Sequence, residues 1–317
     1  MAADTLLVVD HLYLARRVLL DELEKQGVTR SLSVAWRSLE GLENVDPACV
    51  VAILQMDHTL DAAGMGRYKC LKFVSLLMTG VDQFDETYAT KEKIASKNVS
   101  NYATQAVAEM NLLLAIGALR CVPRAIDDLR KGRFDRDCGP GRELAGLRVG
   151  ILGMGTIGTR TAELLRPFGC AIAGWSMTRS IPLESGVTSV SIPELLANSD
   201  VLIVQARLVR GPKELGGNEG MLGTKELAAL PDGAVLVNAA RAGLVDRGAL
   251  LAELRSGRIS AGLDVQFDER IGVVDELFTM PNVFALPHLG FKAHDALAKL
   301  ARLGVRNVAE WLAARRS

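Results

Sequence analysis

Net charge is the first thing this sequence lacks. Its 317 residues carry 37 Lys+Arg against 37 Asp+Glu, a formal sum of zero. Nucleic-acid binding normally requires a basic face to neutralise phosphates, so no nucleic-acid partner is expected. Cysteine is scarce as well: Cys49, Cys70, Cys121, Cys138 and Cys170 are scattered without a CxxC pair. An odd number without paired spacing fits reduced thiols in a cytoplasmic protein, not a disulfide framework. The four histidines, His11, His58, His288 and His294, show no zinc-ligand spacing, so no metal is expected. Met1-Ala2-Ala3-Asp4 has no basic run, so no signal peptide is read. Long apolar runs are missing too. The most apolar stretch, 103–119, is interrupted by Gln105, Glu109 and Asn111. It is too short and too polar for a bilayer and reads as a buried helix, so no membrane partner is expected.

What is present is an ordinary globular composition, 49% hydrophobic and 23% charged, which excludes disorder as the main description. At roughly 150 residues per domain the length predicts about two domains. Thr5–Val9, Val50–Leu54 and Lys72–Leu77 are short apolar strand candidates, with a helical pattern through Leu19, Leu20 and Leu23 that stops at Gly27. A long helix is expected over 104–119 and a Gly- and Arg-rich loop over 131–146. Strand candidates then recur at 148–152, 171–175, 201–205, 234–238, 260–265 and 283–286. Helical segments separate most of them, at 157–168, 192–197, 224–230 and 247–256, and a last amphipathic helix covers 293–314. This alternation predicts an α/β fold with a doubly wound parallel sheet that begins in mid-chain.

The first specific signal is Gly153-Met154-Gly155-Thr156-Ile157-Gly158. It follows the strand candidate 148–152 directly and opens a helical pattern, the context a dinucleotide-binding G-x-G-x-x-G requires. Gly153 would make the tight turn, Gly155 would admit a pyrophosphate, and Gly158 would permit close helix–strand packing. The unpaired N–H groups of the helix start would face the phosphates. In NAD-binding domains a carboxylate roughly 20 residues on usually holds the adenosine ribose. Here Trp175-Ser176-Met177-Thr178-Arg179 stands in that place without one. Neutral Ser176 would not repel a 2′-phosphate, and Thr178 and Arg179 could bind it, so NADP is preferred and NAD is the alternative.

Three further segments resemble the D-isomer-specific 2-hydroxyacid dehydrogenases, which include glyoxylate/hydroxypyruvate reductases. Asn238-Ala239-Ala240-Arg241-Ala242-Gly243-Leu244-Val245-Asp246 is similar to the family's N-x-x-R-G-x-x-V-D, with Ala242 in place of the usual Gly. Leu263-Asp264-Val265 followed by Asp268-Glu269 resembles its L-D-V-F segment and acidic run, with Gln266 where an aromatic residue is usual and Arg270 where Pro is usual. Asn282-Val283-Phe284-Ala285-Leu286-Pro287-His288-Leu289-Gly290 resembles the segment that holds the family's catalytic histidine.

The resemblance implies a Rossmann-type dinucleotide domain, 99–288, inserted in a smaller flavodoxin-like substrate domain made of 1–98 and 289–317. It implies reversible reduction of a 2-oxo acid to a D-2-hydroxy acid. Arg241 would bind the substrate carboxylate and carbonyl, since its rigid fork of donors suits both. His288 would exchange the proton and Glu269 would support it. Leu77 to Asp85 resembles the loop that holds the substrate carboxylate, which makes Thr79, Gly80 and Val81 candidates. Cofactor contacts are implied at Thr104, Met154, Thr156, Ile157, Ala206, Arg207, Ala239, Ala240, Asp264, His288 and Gly290, besides the glycines of the motif and Arg241. The stretch Gly216–Gly220 has the look of an insertion, and His294 is given no role. A homodimer is expected, because members of this family usually pair through the dinucleotide domain. A dinucleotide-sensing, corepressor-like binding protein of the same fold is the alternative.

Overall fold

The computed structural model describes residues 4–9, 16–38, 41–42, 46–55, 59–81, 84–134, 140–177, 180–182, 185–269 and 272–315. The chain forms two compact units, Met1–Ala103 with Lys292–Ser317, and Thr104–Phe291.

The first unit is built on β1 (Thr5–Val9), α1 (Arg16–Lys25), β2 (Ser33–Ser38), β3 (Gly41–Leu42), β4 (Val50–Gln55), α2 (Ala62–Gly66), β5 (Phe73–Leu76), α3 (Glu86–Lys91) and β6 (Ala95–Asn98). Its sheet runs β3-β2-β1-β4-β5-β6, parallel except for the short antiparallel β3 at one edge. Leaving that edge aside, the order is 2-1-3-4-5, the flavodoxin-like winding. Every residue of β1, β4 and β5 is buried, as expected of parallel strands covered on both faces. The C-terminal helix, His294–Ala314, packs on β4, β5 and α1, with Trp311 stacked on Phe73 at 5.2 Å. Gly304 allows that approach: a Cβ there would lie 2.0 Å from a methyl group of Leu77.

The second unit contains α4 (Thr104–Leu119), α5 (Val122–Arg130), β7 (Arg148–Leu152), α6 (Thr156–Leu165), β8 (Ala171–Trp175), β9 (Thr188–Ser189), α7 (Ile192–Ala197), β10 (Val201–Val204), α8 (Thr224–Ala228), β11 (Val235–Asn238), α9 (Arg247–Ser256), β12 (Ser260–Leu263) and β13 (Val283–Ala285). Its sheet order is β13-β12-β11-β10-β7-β8-β9, parallel throughout. That is the doubly wound dinucleotide order with one further strand. Six of the seven strands lie where the apolar runs predict them. The seventh, β9, which no apolar run marks, is two exposed residues, too short and too polar to stand out. The helix expected over 157–168 ends at Leu165 and tightens to a 3₁₀ turn, Arg166–Phe168, because Pro167 has no N–H to continue the ladder.

The winding reverses between β7 and β10, and ligands of such sheets bind beyond the carboxyl ends of the strands at that point. α4 packs against β11, β12 and α6 through one side, while Leu113 and Ile116 on the other side are exposed. Among the described residues no single helix is long and apolar enough to cross a membrane.

Candidate active site

The glycine motif has the geometry its sequence implies. Gly153 ends β7 at φ +117°, and a Cβ there would sit 2.4 Å from the Ala206 backbone nitrogen. Only glycine fits that turn. A Cβ on Gly158 would lie 2.2 Å from the Gly153 carbonyl oxygen, so this residue sets the helix–loop approach. Gly155, the N-cap of α6, is different: nothing lies within 4 Å of its missing Cβ, and no side chain caps the helix. Thr156, Ile157 and Gly158 therefore present first-turn N–H groups beside open space, the arrangement that takes a phosphate. Met154 is buried, and its backbone N–H donates to the Trp175 carbonyl, which pins the motif to the end of β8.

A buried polar chain supports the same loop. Thr161 donates to the Ile157 carbonyl at 2.9 Å, Asn111 donates to Thr161 at 3.0 Å, and Gln205 donates to Asn111 at 3.1 Å. Asn111 and Thr161 are fully buried. In so dry a place each polar group requires its partner, so the chain fixes α4, α6 and the end of β10 in one register. This chain is not legible in the sequence, where Asn111 reads only as an interruption of an apolar helix.

Ser176 follows β8 and is half-buried. Thr178 and Arg179 lie outside the described residues, as do His11, His58 and Arg270. Ala206 abuts Gly153, and Arg207 is exposed just beyond it. The suspected insertion is locked: Asn218 accepts from the Val209 N–H at 2.7 Å and donates to the Arg207 carbonyl at 2.7 Å. Thr104 is the first residue of α4.

Beyond the ends of β11, β12 and β13 lie Arg241, Glu269 and His288, the last two in direct contact. Asn238, 2% exposed at the end of β11, accepts from the Ala240 N–H at 3.0 Å and donates to the Arg241 carbonyl at 3.0 Å. This clamp shapes the turn through Ala239 and Ala240, and the Arg241 guanidinium donates back to the Ala240 carbonyl at 2.8 Å. The role of Asn238 was not read from the sequence, although it stands in the motif.

His288 Nδ1 and Glu269 Oε2 are 2.9 Å apart. With Nδ1 carrying the proton toward the carboxylate, Nε2 is the nitrogen left to exchange one. Burial, the largest influence on the imidazole, pulls its pKa down. The Glu269 hydrogen bond and charge, with Asp264, outweigh burial and the Arg241 charge, so the value rises above that of an ordinary histidine. Burial likewise pushes Glu269 up, but His288, the Gln266 N–H and Arg241 bring it below an ordinary glutamate. The Arg241 charge thus reaches both partners.

The backbone of His288 is left-handed, at φ +54°. Such a conformation is uncommon outside glycine and is held by its surroundings. Asp264, 1% exposed, supplies the hold: its two oxygens accept the Leu289 N–H at 2.8 Å and the Gly290 N–H at 2.6 Å. Burial raises the Asp264 pKa against these two bonds. Gly290 must be glycine, since a Cβ would lie 2.7 Å from the Asp264 carboxylate.

Thr79, Gly80 and Val81 belong to the first unit, in the loop that leaves β5. Asn98 donates to the Thr79 carbonyl at 2.7 Å, and the Thr79 hydroxyl donates to the Val99 carbonyl at 3.3 Å.

The family model for the D-isomer specific 2-hydroxyacid dehydrogenase NAD binding domain matches residues 112–290. The chain is 36% identical over 242 residues to 4-methyl-2-oxopentanoate reductase A of Aspergillus oryzae, covering 76% of this chain and 71% of that one. It is 29% identical to the D-3-phosphoglycerate dehydrogenase of Methanocaldococcus jannaschii over 92% of this chain, but spans only 54% of that longer protein. Among solved structures, a glyoxylate reductase from Paecilomyes thermophila superposes with a TM-score of 0.81 at 27% identity, covering 97% of this chain and 95% of that one.

Proposed function

The chain belongs to the D-isomer specific 2-hydroxyacid dehydrogenase family, and from that premise we propose that it reduces a 2-oxo acid to a D-2-hydroxy acid, reversibly. Glyoxylate and hydroxypyruvate are the substrates proposed first. 4-Methyl-2-oxopentanoate joins them because the Aspergillus relative carries that name. The observation that carries the reading is the His288–Glu269 hydrogen bond within reach of the Arg241 charge.

The three glycines, the α6 N-terminus and Ser176 fit a dinucleotide, whose nicotinamide, when bound, supplies or accepts the hydride. The chain's own residues do the rest. Arg241 offers a planar fork of donors to a carboxylate and its neighbouring carbonyl oxygen, binding the substrate and drawing charge toward that oxygen. Protonated His288 gives its Nε2 proton to the oxygen as the carbonyl is reduced, and neutral His288 takes it back in oxidation. Glu269 holds the imidazole by Nδ1 and favours its charged form. Asp264 fixes the turn that carries it. Thr79, Gly80 and Val81 are proposed to take part in carboxylate binding.

NADP is the proposed preference over NAD, because neutral Ser176 stands where a ribose-binding carboxylate would repel a 2′-phosphate. Pairing of two copies through the second unit is supported by exposed Leu113 and Ile116 on α4, Ile126 and Leu129 on α5, and Phe134 shortly after it. Cytoplasmic residence is supported by the free thiols Cys49, Cys70, Cys121 and Cys170.

A substrate panel of glyoxylate, hydroxypyruvate, pyruvate and 4-methyl-2-oxopentanoate, followed at 340 nm with NADH and NADPH in turn, tests the proposal. Turnover of at least one acid, faster with NADPH, is expected. Tight cofactor binding with no turnover of any of them would overturn it in favour of a dinucleotide-sensing protein.

A further inference from the structure

Gln266 stands where an aromatic residue is usual in the family this chain resembles, and its side chain makes two contacts that an aromatic ring could not. Its amide nitrogen donates to the Val273 carbonyl at 3.0 Å, and its amide oxygen accepts the Asp275 N–H at 3.4 Å. These bonds join the start of the segment 266–275 to its end. Between them lies Glu269, whose Oε1 accepts the Gln266 backbone N–H at 3.4 Å while Oε2 meets His288.

The far end of the segment is anchored. The Asp275 carboxylate receives Arg247 through both Nε at 2.7 Å and an Nη at 2.9 Å, and it caps the following 3₁₀ turn through the Leu277 N–H at 3.1 Å. A two-pronged pair of this kind fixes direction as well as distance. Arg247 opens α9, which follows the Arg241 turn directly. The segment that carries Glu269 is thus pinned at Asp275 and folded back on itself by one amide side chain.

We propose that Gln266 is a positioning residue for proton transfer: by tying 266 to 273 and 275, it holds the Glu269 carboxylate on Nδ1 of His288. The proposal rests on the reading of His288 as the proton donor. It assigns to Gln266, and through Asp275 to Arg247, a part in setting how tightly His288 keeps its proton. Among the described residues, Glu269, Asp264 and Arg241 act on His288, with the Phe291 ring edge-on at 5.7 Å, and Gln266 and Arg247 bond instead to Val273 and Asp275. Their influence therefore passes through the placement of Glu269.

The test is an NMR titration of the His288 imidazole in the full-length protein, its signal identified by its loss in His288→Gln. This reads the histidine without requiring turnover. Gln266→Met keeps the side-chain length and removes the amide; Arg247→Met releases the anchor; Glu269→Gln marks the full effect of losing the carboxylate. Both Met variants should lower the His288 pKa by about half a unit or more, in the direction of Glu269→Gln. The alkaline limb of the reduction profile should move with them, while cofactor affinity stays as in the wild type. A His288 pKa within about 0.2 unit of wild type in Gln266→Met, with Glu269→Gln clearly shifted, would overturn the proposal, even if melting temperature fell. An unshifted Glu269→Gln would overturn the pairing itself, and the proposal with it. Failure of the wild type to reduce any 2-oxo acid, with the imidazole shifts intact, would sink the functional reading and leave the brace standing.

Discussion

Two glycines of one motif should differ in what the same substitution costs them. In Gly158→Ala the new methyl would lie 2.2 Å from the Gly153 carbonyl oxygen, whereas ordinary contacts begin at 3.4 Å. The helix must retreat from the loop by about 1 Å, and overpacking of that kind costs about 1–3 kcal/mol. For a unit of this size that corresponds to a fall in Tm of roughly 2–12 °C. The retreat also moves the first-turn N–H groups, whose charge-assisted bonds to a phosphate are worth about 1.5–3 kcal/mol, or roughly 10- to 100-fold in cofactor affinity. In Gly155→Ala the methyl meets nothing within 4 Å, and the backbone there, φ −82° and ψ −162°, suits alanine. Tm should change by no more than about 2 °C, yet the methyl projects into the space reserved for the pyrophosphate, so affinity should still fall by roughly tenfold or more. Thermal scanning of the free protein and titration of its tryptophan fluorescence with NADPH measure the two effects separately. Equal losses of Tm in both variants, or unchanged affinity in Gly155→Ala, would refute this account of the loop.

Other substitutions probe the remaining parts of the site. Glu269→Gln removes a partner that is 41% exposed from a histidine that is 36% exposed, so solvent screening limits the contact to about 1 kcal/mol, equivalent to about 0.7 pH unit. Reduction needs protonated His288, so the alkaline limb of its pH profile should move toward acid; an unmoved limb would remove Glu269 from its role. Because the folded His288 pKa is raised and that of Glu269 lowered, the pair stabilises the fold above the unfolded glutamate value and below the unfolded histidine value. The loss of Tm in Glu269→Gln should therefore be largest at about pH 5–6 and fade as pH rises through the folded histidine value. Ser176→Asp should repel a 2′-phosphate and shift cofactor preference toward NADH by roughly tenfold or more, as read from Kd for both cofactors; an unchanged ratio would refute the reading of the β8 end. Asn238→Ala strands the Ala240 N–H and Arg241 carbonyl, at about 1–3 kcal/mol, and should raise KM for the 2-oxo acid more than Kd for the cofactor; equal changes would show that the clamp does not act through Arg241.

The parts of this fold that were legible in the sequence are those that bury a continuous apolar run. β1, β4, β10 and β11 are such runs, and 192–197 and 247–256 carry Ser191 and Asp246 as N-caps, whose side chains accept from Glu194 and Ala249. β6, Ala-Ser-Lys-Asn at a sheet edge with no fully buried residue, gives no periodic signal. α5 carries no usable pattern for a related reason: its buried residue is Asp128, paired with Arg133, while Ile126 and Leu129 are exposed. Within the site, Gly153 was legible because its turn requires glycine, and Arg241 and His288 were singled out through the family resemblance of their segments. Asn111, Asn238 and Gln266 could not, since an amide that satisfies buried or looped backbone is recognisable only once its partners, distant in sequence, are known.

If His288 moves the proton of a 2-oxo acid reduction, His288→Ala removes the donor itself. Turnover of the best acid in the panel should fall by roughly 100-fold to 10,000-fold, while Kd for the nicotinamide cofactor changes by no more than about twofold. A loss of turnover of less than roughly tenfold at unchanged cofactor affinity would contradict the account.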